Sequence, residues 1–160
     1  MARQNAKYLR GLPHCDKIPL NKLQGEGIRM NKPSERRLAL LAAFGCALAY
    51  WLAGRVLAAA CAALPLSAAG QSFALHCVAA PLAEELAFRG GVQSLLQPLG
   101  PWAAVGGQAL LFAAQHGGAA AVLYALVLGL VLGAVRQRTG RVWPGWVLHT
   151  LNNLLVFAAG

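Results

Sequence analysis

The chain has 160 residues, 58% hydrophobic and 12% charged, which is too apolar for an ordinary soluble domain and long enough for one compact unit. Its net charge of +9 is unevenly placed: nine of the 14 basic residues (Arg3, Lys7, Arg10, Lys17, Lys22, Arg29, Lys32, Arg36 and Arg37) precede the first apolar run. Aromatic residues do not interleave with them, which argues against nucleic acid as a partner and for the cytoplasmic flank of a membrane protein.

Residues 1–37 are polar, basic and broken by Pro13, Pro19, Gly25, Gly27 and Pro33, and read as a tail on the membrane surface. The first apolar run begins only near Leu38, so no cleavable signal peptide is expected. A helix needs about 20 residues to cross the hydrocarbon. The first candidate runs from Leu38 to about Leu64, contains Tyr50 and Trp51, and has Arg55 as its only charge. Pro65 ends it, and Ser67 to Gly70 read as a turn. The second runs from about Gln71 to Leu96 and carries Glu84, Glu85 and Arg89. Pro98, Gly100 and Pro101 separate it from a third, Trp102 to about His116, which Gly117 and Gly118 close. A fourth runs from Ala119 to Val135, with Gly129 and Gly133 spaced for close helix packing. After the basic loop of Arg136, Arg138 and Arg141, a fifth runs from Trp143 to Ala159, with Trp143 and Trp146 at an interfacial position.

The expected fold is therefore all-α: a polytopic transmembrane bundle of about five spans (residues 38–160) behind a basic tail (residues 1–37). With the tail inside, five crossings also put the arginine loop inside, and the two agree. The cysteines Cys15, Cys46, Cys61 and Cys77 lack Cys-x-x-Cys spacing, so neither a zinc knuckle nor a redox pair is expected.

Of the five acidic residues, only Glu84 and Glu85 fall in the apolar part. A carboxylate at mid-membrane costs roughly 2.5–3.5 kcal/mol on insertion scales, so two adjacent ones call for an explanation. Arg89 follows Glu85 by four residues on the same helix face, whereas Glu84 points about 100° away. Glu85 can thus be neutralised by Arg89 while Glu84 faces a polar cavity as a general base. The plainer alternative is a structural Glu–Arg pair. His149 and Asn153 share a face and could hold a developing oxyanion, with Asn152 as the alternative at i+3. His116 shares a face with Phe112, whereas His76 reads as a packing histidine. For both His116 and His149 to reach one site, the third helix must be short, tilted or buried.

The run Glu84-Glu85-Leu-Ala-Phe-Arg89 resembles the EExxxR motif of the CAAX prenyl endopeptidase and bacteriocin-processing (CPBP, or abortive-infection) family. Phe112-Ala-Ala-Gln-His116 is similar to its FxxxH motif, and His149-Thr-Leu-Asn-Asn153 to its HxxxN motif. The stretch from Leu128 to Gly140 resembles the helix and turn between the last two motifs, so the likeness covers about residues 72–157. The chain is shorter than larger members, which carry extra helices before the first motif.

The resemblance implies a small bacterial-type glutamic intramembrane endopeptidase in the inner membrane, N-terminus cytoplasmic, with no cofactor. Glu84, aided by His116, would activate water; His149 and Asn153 would stabilise the oxyanion; Glu85 and Arg89 would shape the site. The implied partners are the bilayer and a membrane-anchored, lipidated or sorting-signal-bearing protein or peptide. A non-catalytic immunity or scaffold protein is the alternative. A zinc enzyme is a further one, although no His-Glu-x-x-His spacing is present.

Overall fold

The structure, a computed structural model, describes residues 32–159. The tail residues before Lys32, with Cys15 among them, lie outside the described residues. Five helical units follow one another, and no strand occurs among the described residues.

Helix α1, Pro33–Ala62, begins ahead of Leu38, with proline at its first position and Glu35 in its first turn. Both features favour a helix start, because the proline lacks an N–H that would be unpaired anyway and the acid complements the helix dipole. Ala39, Ala43 and Ala47 are buried at four-residue intervals and make a narrow stripe that lets α1 approach its neighbour closely.

Unit α2 is a composite, with α-helical Ala68–Phe73, π-helical Ala74–Ala79, α-helical Ala80–Glu84, π-helical Glu85–Val92, α-helical Gln93–Leu96 and a closing 3-10 turn Gln97–Leu99. It starts at Ala68, within the segment expected to be a turn, because Ser67 caps it by accepting from the Gly70 N–H at 3.2 Å. Gln71 then donates to the carbonyls of Ala62, at the end of α1, and of Leu64 just after it.

Helix α3 is Pro101–Ala113, α4 is Ala119–Thr139 and α5 is Trp143–Ala159. Gly140, at φ +69°, closes α4 by returning its N–H to the Arg136 carbonyl at 3.0 Å. The expected pair Gly129 and Gly133 does face α3: a Cβ on Gly129 would lie 3.1 Å from the Ala109 backbone. Glutamine amides bond to the same two glycines: Gln108 of α3 donates to the Gly129 carbonyl at 2.7 Å, and Gln93 of α2 to that of Gly133 at 3.0 Å.

The buried face of the second half of α2 is Glu85, Phe88, Arg89, Val92, Gln93 and Leu96, half of it polar or charged. Outward faces are apolar on every helix, for example Leu41, Leu86, Leu110, Leu123 and Leu155. Polar groups inside and large aliphatic groups outside is the arrangement that a lipid solvent favours. Among the described residues two helices, α1 and α4, are long and apolar enough to cross a membrane. Helix α3, with 13 residues, reaches only about 20 Å. Of the described cysteines, Cys46 is half-buried, Cys61 and Cys77 are buried, and all three are free.

Candidate active site

Glu84 ends an α-helical piece of α2 and Glu85 opens the π-helical one. Widening a helix at such a point re-aims side chains, and π-helical turns recur at functional sites. The expected ion pair is present: Arg89 Nη1 lies 2.9 Å from Glu85 Oε1, and both side chains are fully buried. The Phe112 ring faces the guanidinium, 4.5 Å from Cζ to its centroid.

His149 is expected from its spacing to share a face with Asn153 as an oxyanion donor, and it also makes a contact that the spacing does not suggest. Its ring is wedged between the two glutamates, with Nδ1 3.0 Å from Glu85 Oε1 and Nε2 3.4 Å from Glu84 Oε2. Gly145, one turn before it on α5, makes this possible: a Cβ there would stand 2.6 Å from Glu85 Oε2. The glycine was missed, although its place four residues before His149 put it on the same helix face.

Glu84, His116, His149 and Asn153 all line one cavity of about 360 Å³, together with His76, Phe112, Tyr124 and Asn152. Because α3 is short, His116 falls in the turn after it and lines the same cavity as His149. His116 Nδ1 is 3.1 Å from the Phe112 carbonyl, so in the neutral ring that nitrogen donates and Nε2 is left as the acceptor. Asn153 donates from Nδ2 to the His76 carbonyl at 2.8 Å and accepts from Asn152 Nδ2 at 3.2 Å. Tyr124 donates to the Asn152 side-chain oxygen, so both asparagines belong to one chain of amides and the open choice between them becomes a joint arrangement.

His76 is not the packing residue expected. It is exposed at the cavity wall, and its Nδ1 meets Ser72, whose carbonyl is 3.0 Å away. The sequence places Tyr50 only within a span, yet its hydroxyl donates to Glu84 Oε1 at 2.9 Å. The Ala39, Ala43 and Ala47 stripe was the available signal, since Tyr50 continues it one turn on.

Zinc needs three or four convergent ligands, each with a free lone pair. Among the described residues no three His, Cys, Asp or Glu side chains are grouped as a metal site, and both His149 nitrogens already face carboxylates. This donor set does not fit the metal.

No curated protein and no solved structure matches the chain. Residues 65–155 match the family profile described as type II CAAX prenyl endopeptidase Rce1-like.

Proposed function

The chain belongs to the type II CAAX prenyl endopeptidase Rce1-like family, matched over more than half its length, and from that premise we propose that it is an intramembrane endopeptidase working through a glutamate-activated water. The family makes it an integral membrane protein of the protease class. The observation that supports the mechanism best is that Glu84, His116, His149 and Asn153, drawn from separate parts of the chain, line a single cavity.

In this reading Glu84 takes a proton from a water whose oxygen attacks the scissile carbonyl carbon. His116, its Nε2 left open by the Phe112 carbonyl, assists that transfer. The C–O bond forms as the carbonyl oxygen becomes an oxyanion, stabilised by the second Nδ2 N–H of Asn153 and by the Nε2 N–H of His149, which turns from Glu84 as that carboxylate takes up the proton. Collapse breaks the C–N bond, and the proton held on Glu84 passes to the leaving amine. Glu85 and Arg89 fix His149 from behind. The apolar lining of Ala121, Ala125, Leu128 and Val156 suits a lipidated or membrane-anchored peptide.

Five crossings with a cytoplasmic N-terminus in a bacterial inner membrane complete the proposal, the basic flank giving way to the membrane domain near the start of α1. Gln97 donates to Gln137 at 2.6 Å, so the ends of α2 and α4 lie side by side, as five crossings require. Arg36, Arg37, Arg138 and Arg141 are exposed, in keeping with one basic, cytoplasmic side.

The test is cleavage of an internally quenched, farnesylated CAAX peptide in vesicles. Wild-type protein should cleave it at full rate in a tight chelator, and Glu84→Gln should not cleave it. Loss of activity in chelator would move the assignment to a metalloprotease, and retained cleavage by Glu84→Gln would remove the base. One observation favours the non-catalytic scaffold: Glu85, Arg89 and His149 are buried and pair with one another. An intact cellular phenotype in Glu84→Gln would support that reading.

A further inference from the structure

Glu84 is gripped from two sides, and only one of the groups belongs to the motif set. His149 Nε2 stands 3.4 Å from Oε2, while Tyr50 of α1 donates to Oε1 at 2.9 Å. Tyr50 precedes the segment that matches the family profile. Resting on the reading of Glu84 as the base, we propose that Tyr50 is its positioning residue. The phenol holds Oε1, so that Oε2 is the oxygen presented to the attacking water.

The hydroxyl's place is set independently of Glu84. The Tyr50 ring packs edge-on against Phe88 at 5.3 Å, and Phe88 packs against Phe112 in the same manner. Phe112 in turn meets the rings of His116 at 5.0 Å and His149 at 5.8 Å. One row of rings thus runs from α1 to both histidines of the site. The alanine stripe brings α1 close enough for this, and Cys46 Sγ, one turn before Tyr50, lies 3.7 Å from the Ala87 carbonyl.

Neighbouring positions on α1 show what a phenol does that an apolar ring would not. Phe44, Leu48, Trp51 and Leu52 are exposed on the outer face, whereas Tyr50 is half-buried with its hydroxyl turned to the carboxylate. A hydroxyl in apolar surroundings needs a partner, and this one has Glu84. A free glutamate side chain has three torsions to order before it can take a proton along one direction. Fixing one oxygen removes most of that freedom before substrate arrives, which is where positioning raises turnover rather than affinity.

The test is Tyr50→Phe, which keeps the ring on Phe88 and removes only the hydroxyl. With the quenched farnesylated CAAX peptide in phosphatidylethanolamine–phosphatidylglycerol vesicles, kcat should fall about tenfold or more. KM should stay within about twofold, since only transition-state positioning is lost. Infrared spectra of the substrate-free protein give a second readout: the Glu84 carboxyl signal, identified by its loss in Glu84→Gln, should shift in Tyr50→Phe. Wild-type kcat, a change in KM alone, or an unmoved Glu84 signal would each overturn the proposal, the last whether or not the peptide is cleaved. Full cleavage by Glu84→Gln together with a shifted signal would be a different failure. The contact would then be real, but Glu84 would not be the base and Tyr50 would have no catalytic consequence.

Discussion

Glu84 and Glu85 are chain neighbours of one residue type, yet they occupy opposite kinds of environment. Glu85 lies in a closed cluster with Arg89 at 2.9 Å, His149 at 3.0 Å and Gly145 against its second oxygen. Glu84 borders an open cavity and meets two neutral-capable donors, Tyr50 and His149. One helical step decides between them, because it turns one carboxylate toward a cation on its own helix and the other toward a gap between helices. A group buried against a cation on its own helix holds the structure; a group with an open side can exchange a proton with a bound water.

The strongest way to break the contrast is to strand a charge on the closed side. Glu85→Gln or Arg89→Gln should each destabilise the fold by about 3–5 kcal/mol, because the remaining charge is buried without its partner. Thermal melting in a single detergent measures this. The double change Glu85→Gln/Arg89→Gln should recover part of the loss, and a purely additive result would show that the two do not act as a pair.

Next is Gly145→Ala, which puts a methyl into the space the Glu85 carboxylate fills. Its cost should be about 1–3 kcal/mol, as for other overpacked interior sites. Because the clash also moves His149, activity should fall along with the melting temperature. Full activity and stability together would mean that the carboxylate has room to turn away.

A smaller effect sharpens the comparison with the α3–α4 seam, where polar groups serve packing alone. Gln108→Leu removes the donor to the Gly129 carbonyl and should cost about 0.6–2 kcal/mol, with kcat unchanged in the surviving protein. Smallest of all is Leu155→Ala on the outward face of α5, 74% exposed, where a shift within about 0.5 kcal/mol is expected. A large loss there would show that this face is covered by protein.

Much of this was legible in the chain. Proline, glycine and arginine punctuation marks the helix limits to within a few residues, because those residues act locally. The Glu85–Arg89 pair follows from spacing on one helix. What spacing does not carry is contact between helices. Tyr50 lies 34 positions from Glu84 and Gly145 lies 60 from Glu85, and no local pattern links either pair. The π-helical turn beginning at Glu85 was equally hidden, since it depends on how α2 packs against α1 and α5. For His76 the reason is simpler: its partner Ser72 is at helical spacing, but its exposure to the cavity depends on where α5 ends up.

Whether the adjacent carboxylates divide structure from chemistry is decided by measuring melting temperature and turnover on the same preparations of Glu84→Gln and Glu85→Gln. Glu84→Gln should melt at or above the wild-type temperature while cleavage of the quenched peptide falls by about 10²-fold or more. Glu85→Gln should melt well below it. Equal destabilisation by the two substitutions, or cleavage that survives Glu84→Gln, would contradict the account.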